Sequence, residues 1–301
     1  MTYDELVDAL LQGLLDEGGL KRGAAVPEDT AGRRSMIRAL MNTRPPGPVD
    51  PQLLQLQDEL LSLERAAKAV TDPVALPSVA ESCPSFRPLY SRRLVLWKGD
   101  ITTLAADAIV NAANAQLLGC FFPLHNCIDN VIHSAAGMQL RNECSRIMQE
   151  QGHDEPTGQA KITPAYNLPC KYVLHTVGPI IKDAVSGEDV RLLESCYTAC
   201  LDLAAQTPGV RSVAFPCIST GVFRFPKDTA ALIALTTVGP WLEAHPDRIE
   251  RVIFNVFTGE DYDEYYRYFS HPYPSGSDYQ GCPYCARRRR SGTLGRGRPA
   301  L

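Results

Sequence analysis

Two cysteines and a histidine crowd one short run of this chain, Cys120-Phe-Phe-Pro-Leu-His125-Asn-Cys127. Two potential thiolates and an imidazole so closely spaced are the donors that a tetrahedral Zn²⁺ favours. Three protein ligands leave a fourth position for water or substrate, which is the arrangement of a catalytic rather than a structural site. The competing reading makes Cys120 and Cys127 small buried hydrophobes and His125 a satisfied loop histidine. With 10 cysteines in 301 residues, spacing alone does not choose between the two. Directly after the run a helix opens with an acid, Asp129.

The flanking sequence carries more. Upstream lie Leu94-Val-Leu-Trp-Lys-Gly-Asp100-Ile101-Thr102 and Asp107-Ala-Ile-Val-Asn111-Ala-Ala-Asn114. Downstream come Asp129-Asn-Val-Ile-His133-Ser-Ala-Ala-Gly137 and Tyr172-Val-Leu-His175-Thr-Val-Gly178-Pro179. The series closes with Val213-Ala-Phe-Pro-Cys-Ile-Ser219-Thr220-Gly221-Val222-Phe223-Arg-Phe-Pro226. In this order, over residues 92–269, the motifs resemble the macrodomain family, and within it the hydrolases that remove ADP-ribose. Those hydrolases usually carry a glycine-rich run after the Asn-Ala-Ala-Asn motif. Here the Cys/His segment stands in that place, which resembles the zinc-dependent branch of the family.

The resemblance implies one zinc ion per chain, held by Cys120, His125 and Cys127. It implies that ADP-ribose is bound by Asp100 and Ile101 at the adenine, by Asn114 at the distal ribose, and by Ser219, Thr220, Gly221, Val222 and Phe223 around the pyrophosphate. Backbone N–H groups of such a turn can converge on an anion without a lysine, and Gly221 permits close approach and unusual backbone angles. Phe223 is left between covering the distal ribose and packing in the core. Asp129 aligns with the catalytic aspartate of non-zinc relatives, and Asp129 and Asn114 form the implied catalytic pair. Asn111 is read as satisfying backbone locally, and His133 as a satisfied helix histidine rather than a fourth ligand. Arg224 stands where many relatives have glycine.

The implied activity is a zinc-dependent protein-ADP-ribose hydrolase acting on mono-ADP-ribosylated protein, working opposite a sirtuin-like ADP-ribosyltransferase. The rival is a non-catalytic reader of ADP-ribose with a structural zinc. Asp129 and a three-ligand metal loop favour the enzyme, because a reader needs neither an acid nor an open metal at the distal ribose.

These residues need a scaffold, and the pattern supplies one. From Leu94 onward, short β-rich runs at 94–99, 107–113, 159–166, 171–177, 212–218 and 251–257 alternate with helical stretches near 128–150, 189–206, 227–244 and 261–269. The expected domain, 89–270, is a three-layer α/β/α fold with a mixed, largely parallel central sheet. In such sheets ligands bind beyond the carboxyl ends of the strands, where Asp100, Asn114 and Ser219–Phe223 fall. A small helical extension and linker, residues 1–88, precede it. Thr2 and Glu5 have capping-box spacing, Asp50-Pro51 opens another helix, and the proline-containing stretch Asp72 to Pro88 is the expected linker. Residues 271–301 read as a disordered arginine-rich tail in which Cys282 and Cys285 form a lone Cys-x-x-Cys.

Composition agrees with a folded, cytoplasmic chain. A 45 % hydrophobic content supports a substantial core, and a net charge of −4 argues against general nucleic-acid affinity, the tail's arginines aside. No apolar run reaches membrane-spanning length, and the acidic N-terminus lacks signal-peptide order. The scattered cysteines are expected to be reduced, with Cys196 and Cys200 filling core.

Overall fold

The computed structural model of the protein describes residues 1–18 and 25–270. Its N-terminal helices begin where the sequence offers side-chain caps. Thr2 and Glu5 close a reciprocal capping box at the head of α1 (Tyr3–Glu17), Asp29 caps α2 (Thr30–Thr43), and Asp50 caps α3 (Pro51–Ala67). Leu6, Leu10 and Leu14 follow a helical spacing and turn one stripe of α1 onto Ile37, Met41, Leu53 and Leu60. Met138, from the main domain, completes this small core. The helical extension is therefore packed on the domain, with Gln57 as its polar bolt. Wholly buried, Gln57 accepts from the Met138 amide at 2.7 Å and donates to Gln139 at 2.8 Å.

Residues 72–88, expected as a linker, form a packed strap. Thr71 exchanges backbone hydrogen bonds with Thr103 and Ala105, and the short helix α4 (Val79–Ser82) sends Val79 into the main core with Cys83. Two apolar side chains buried in succession are enough to anchor a segment that has little regular structure of its own.

All six expected strands form: β1 (Leu94–Lys98), β2 (Ala108–Ala113), β3 (Ala160–Pro164), β4 (Tyr172–Val177), β5 (Ser212–Phe215) and β6 (Arg251–Val256). They lie in one sheet in the order β1-β6-β5-β2-β4-β3, parallel throughout except for β3, which runs antiparallel to β4. Alternation along each strand divides the apolar residues between two cores. Ala108 and Val110 join the core formed with α7 (Gly187–Gln206), α8 (Lys227–Ala244) and α9 (Gly259–Ser270), to which Cys196 and Cys200 also belong. Ile109 and Ala113 face the opposite side, covered by α5 (Ile128–Ala136) and α6 (Met138–Gln151). None of these helices is long and apolar enough to cross a membrane, nor is any other among the described residues.

The stretch near 128–150 was expected as one helical segment and is two. Gly137 breaks it at φ 96°, an angle close to glycine-only territory at its ψ of 178°. The apolar period nevertheless runs through the break, since Ile132, Ala136 and Leu140 are all in one core. The arginine-rich tail, with Cys282 and Cys285, lies outside the described residues.

A methyl group at Gly137 would stand 2.5 Å from Gln57 Nε2. Gly137→Ala should therefore lower the unfolding free energy by about 1–3 kcal/mol through backbone strain alone. Urea unfolding checks this; an unchanged midpoint would mean that the break does not need its glycine.

Candidate active site and metal loop

The site starts from a strand register. β2 and β4 pair with Asn111 opposite His175. Both residues take the alternate positions shared by Ile109, Ala113, Val173 and Val177, so two polar side chains enter the core beneath α5 and α6. Both are wholly buried. Asn111 Nδ2 donates to Asp129 Oδ1 at 2.8 Å and to His175 Nδ1 at 3.2 Å. His175 thus accepts at Nδ1 and carries its proton on Nε2, which faces Thr163 Oγ1 at 3.0 Å and Cys144 Sγ at 3.7 Å. Burial pushes His175 down to about 3, and it pushes His133 well below the usual histidine range. Both rings are neutral.

Asp129 stands in the first turn of α5, where the helix dipole favours a carboxylate. It is only 5 % exposed, and burial raises its carboxyl to about 6, against the opposing pull of the Asn111 amide and the Arg141 charge. Its Oδ2 lies 3.4 Å from Asn114 Nδ2. Asn114 also ties the end of β2 to the following loop, donating to Gly119 O at 3.0 Å and accepting from the Gln116 amide at 3.1 Å.

That loop carries the three candidate metal donors. Cys127 is the N-cap of α5, its sulfur accepting from the Asn130 amide at 3.5 Å. Cys120 Sγ is 3.6 Å from His125 Nδ1, and all three donor atoms lie within 4.8 Å of one another. Two ligands on one tetrahedral zinc, at ordinary Zn–S and Zn–N lengths, are about 3.6 Å apart, so the donor set fits such an ion. Burial raises the Cys127 thiol to about 11, a proton that a bound divalent cation would displace. His133, Cys144 and His175 bring their donors within the same limit, but that group is dry core in which His175 is already bonded at both nitrogens.

His133 departs from its expected role as a satisfied helix histidine. Neither ring nitrogen has a hydrogen-bond partner; Nε2 stops 3.6 Å from Asp129 Oδ1. The ring is wedged beneath the loop: a Cβ on Gly119, which has φ 79°, would come within 2.9 Å of it. Asn111, expected to serve local backbone, instead supports Asp129.

Across the sheet, Asp100 caps a 3₁₀ turn. Its Oδ1 accepts from Thr102 at both N and Oγ1, at 2.9 and 2.7 Å. Oδ2 is left toward solvent, 3.6 Å from Lys68 Nζ, in a cleft of about 210 Å³ lined also by Arg38, Thr102 and Val131. Ile101 beside it is buried. After β5, the turn Ser219–Phe223 leaves the amides of Gly221, Val222 and Phe223 without an acceptor among the described residues. The left-handed backbone falls on Ser219 (φ 64°) and Arg224 (φ 59°), not on Gly221 as expected. Arg224 thus holds a conformation that glycine adopts more readily. The turn is locked to the loop after β4, where Ile181 N donates to Phe223 O at 2.9 Å. Gly178 leaves the space that Ser219 fills: a Cβ there would stand 2.1 Å from Ser219 Oγ. Phe223 is half-buried.

Residues 110–234 match the Macro domain family model. A Treponema medium protein named Protein-ADP-ribose hydrolase is 48 % identical over 264 residues, 87 % of this chain and 97 % of its own. The chain belongs to the macro domain family. A Staphylococcus aureus (strain MSSA476) protein of the same name is 45 % identical over 78 % of this macrodomain chain and 84 % of its own length. Among solved structures, the Trypanosoma brucei macrodomain in complex with ADP-ribose has a TM-score of 0.57 and 31 % identity, covering 73 % of this chain and 90 % of that one.

His175 and Gly178 also shape the site, although the sequence marks them only as members of one motif. A histidine inside an apolar strand run was the available signal for one. The sequence held no signal that Gly178 faces Ser219. As a check on the buried network of this macrodomain, Asn111→Ala removes the shortest donor to a buried carboxylate and should cost about 1–3 kcal/mol of stability. Chemical denaturation giving wild-type stability would show that Asp129 does not depend on Asn111.

Proposed function

We propose that this protein is a zinc-dependent hydrolase that releases mono-ADP-ribose from modified protein side chains. The observation that carries the reading is the contact of Asp129 with Asn114, 3.4 Å apart, at the two ends of the loop that gathers three candidate zinc donors. The hydrolase name of the two relatives and the ADP-ribose held by the Trypanosoma brucei macrodomain support the same substrate.

ADP-ribose would lie across the carboxyl ends of the strands. Asp100 Oδ2, the oxygen not committed to the Thr102 turn, accepts from the exocyclic amine of adenine beside Ile101. The free amides of Gly221, Val222 and Phe223, with Ser219 and Thr220 shaping the turn, face the pyrophosphate. Asn114 donates to the distal ribose by giving up its long 3.4 Å contact with Asp129 while keeping the one to Gly119 O. The bond from the ribose anomeric carbon to the modified side chain breaks through an oxocarbenium-like state, the side chain leaving with the electron pair, while Asp129 orients the water that bonds to that carbon and takes its proton. Cys120, His125 and Cys127 would hold the metal, which when bound supplies Lewis acidity at the distal ribose.

Two variants test separate parts. Asp129→Ala should keep most ADP-ribose affinity yet slow release from a mono-ADP-ribosylated protein by about 10²–10⁴-fold. Full activity in this variant would remove Asp129 from the chemistry, and a wild type that binds ADP-ribose but releases none would leave a reader. Asp100→Asn keeps an oxygen for the Thr102 turn but loses the charge. It should weaken ADP-ribose binding by about 1.5–3 kcal/mol, and calorimetry showing wild-type affinity would contradict the placement of adenine.

A further inference from the structure

We propose that α2 is a working part of the metal loop, with Arg38 and Asn42 as positioning residues that hold Leu124 and His125 where the three donors converge. This rests on the zinc reading above. Of the three donor residues, Cys127 is fixed by its place at the cap of α5, whereas Cys120 and His125 ride on irregular chain. That chain is strained: Leu124, immediately before His125, has φ 58°. A leucine in the left-handed region is unfavourable and persists only where its neighbours leave no alternative.

The neighbours that impose it come from α2. Leu124 N donates to Asn42 Oδ1 at 3.0 Å, and Asn42, 2 % exposed, donates in turn to Ser134 Oγ at 2.9 Å. One helical turn earlier, Arg38 Nη2 donates to His125 O at 2.8 Å and to Asn130 Oδ1 at 3.0 Å. Asn130 Nδ2 passes the restraint on, to Cys120 O at 3.3 Å and Phe122 O at 3.1 Å. Arg38 therefore touches the backbone of one donor residue directly and that of a second through one side chain. The i, i+4 spacing of Arg38 and Asn42 puts both on one face of α2, while Ile37 and Met41 seat the helix in the N-terminal core. From α6, Arg141 binds the start of the loop and the end of α2 together, donating to Leu118 O at 2.7 Å and Met41 O at 2.9 Å. Metal ligands depend on such outer partners for their orientation, and loss of one typically lowers metal affinity by about 10–100-fold.

The test uses the full chain and reads zinc affinity by chelator competition, together with amide hydrogen exchange at Leu124. Arg38→Ala and Asn42→Ala should each weaken zinc binding by about 10–100-fold. Asn42→Asp, which keeps an oxygen for the Leu124 amide, should recover most of the loss. Ile233→Ala removes a buried side chain from α8, in the core on the other face of the sheet, so it should lower the melting temperature and leave zinc affinity unchanged. Leu124 should exchange faster in Asn42→Ala even without metal. Wild-type affinity in both alanine variants overturns the proposal, and so does an equal loss in Ile233→Ala, which would reduce the effect to general stability. A wild type that takes up no zinc at all sinks the zinc reading itself, and this proposal with it.

Discussion

One buried carboxylate sets the terms for this half of the molecule. Asp129 lies almost wholly inside the protein, and an ionised carboxylate there is tolerable only with donors and a compensating charge around it. The fold provides them from four directions. Asn111 comes from the middle of β2, Asn114 from the loop that follows, and the start of α5 adds its dipole. Arg141 lends its charge from α6. Because Asn111 is also bonded to His175, the position of the carboxylate is tied to the pairing of β2 with β4.

The same placement explains why the Cys/His loop ends where it does. Cys127 caps α5 and Asp129 follows in its first turn, so helix start, candidate metal donor and acid share one rigid reference. Gly119 packs on the face of His133, which keeps the loop close over the carboxylate. The N-terminal helices extend this logic. They bury their own apolar stripe on α6 through Met138, and they present polar side chains to the loop rather than to solvent.

Much of this was legible in the chain, and the part that was not has a common physical origin. All six strands were legible from local runs of apolar residues, because a sheet covered on both faces demands them. The convergence of Cys120, His125 and Cys127 was legible because they are neighbours in sequence. The division of the 128–150 stretch was hidden, since Ile132, Ala136 and Leu140 continue one helical period across Gly137. The work of Asn111 depends on a parallel register with a residue 64 positions away, and Arg38 meets His125 across 87 positions. No local pattern encodes either meeting. The left-handed angles at Ser219 and Arg224 fall on residues that do not advertise them, while Gly221 beside them has no need of its freedom.

X-ray absorption at the zinc edge of the purified full-length protein tests the central claim most directly. One zinc per chain is expected, with two sulfur ligands at about 2.3 Å, one nitrogen at about 2.0 Å and an oxygen as the fourth ligand. A shell closed by a third sulfur or a second imidazole, or a protein that holds no zinc, would contradict an open metal position beside Asp129.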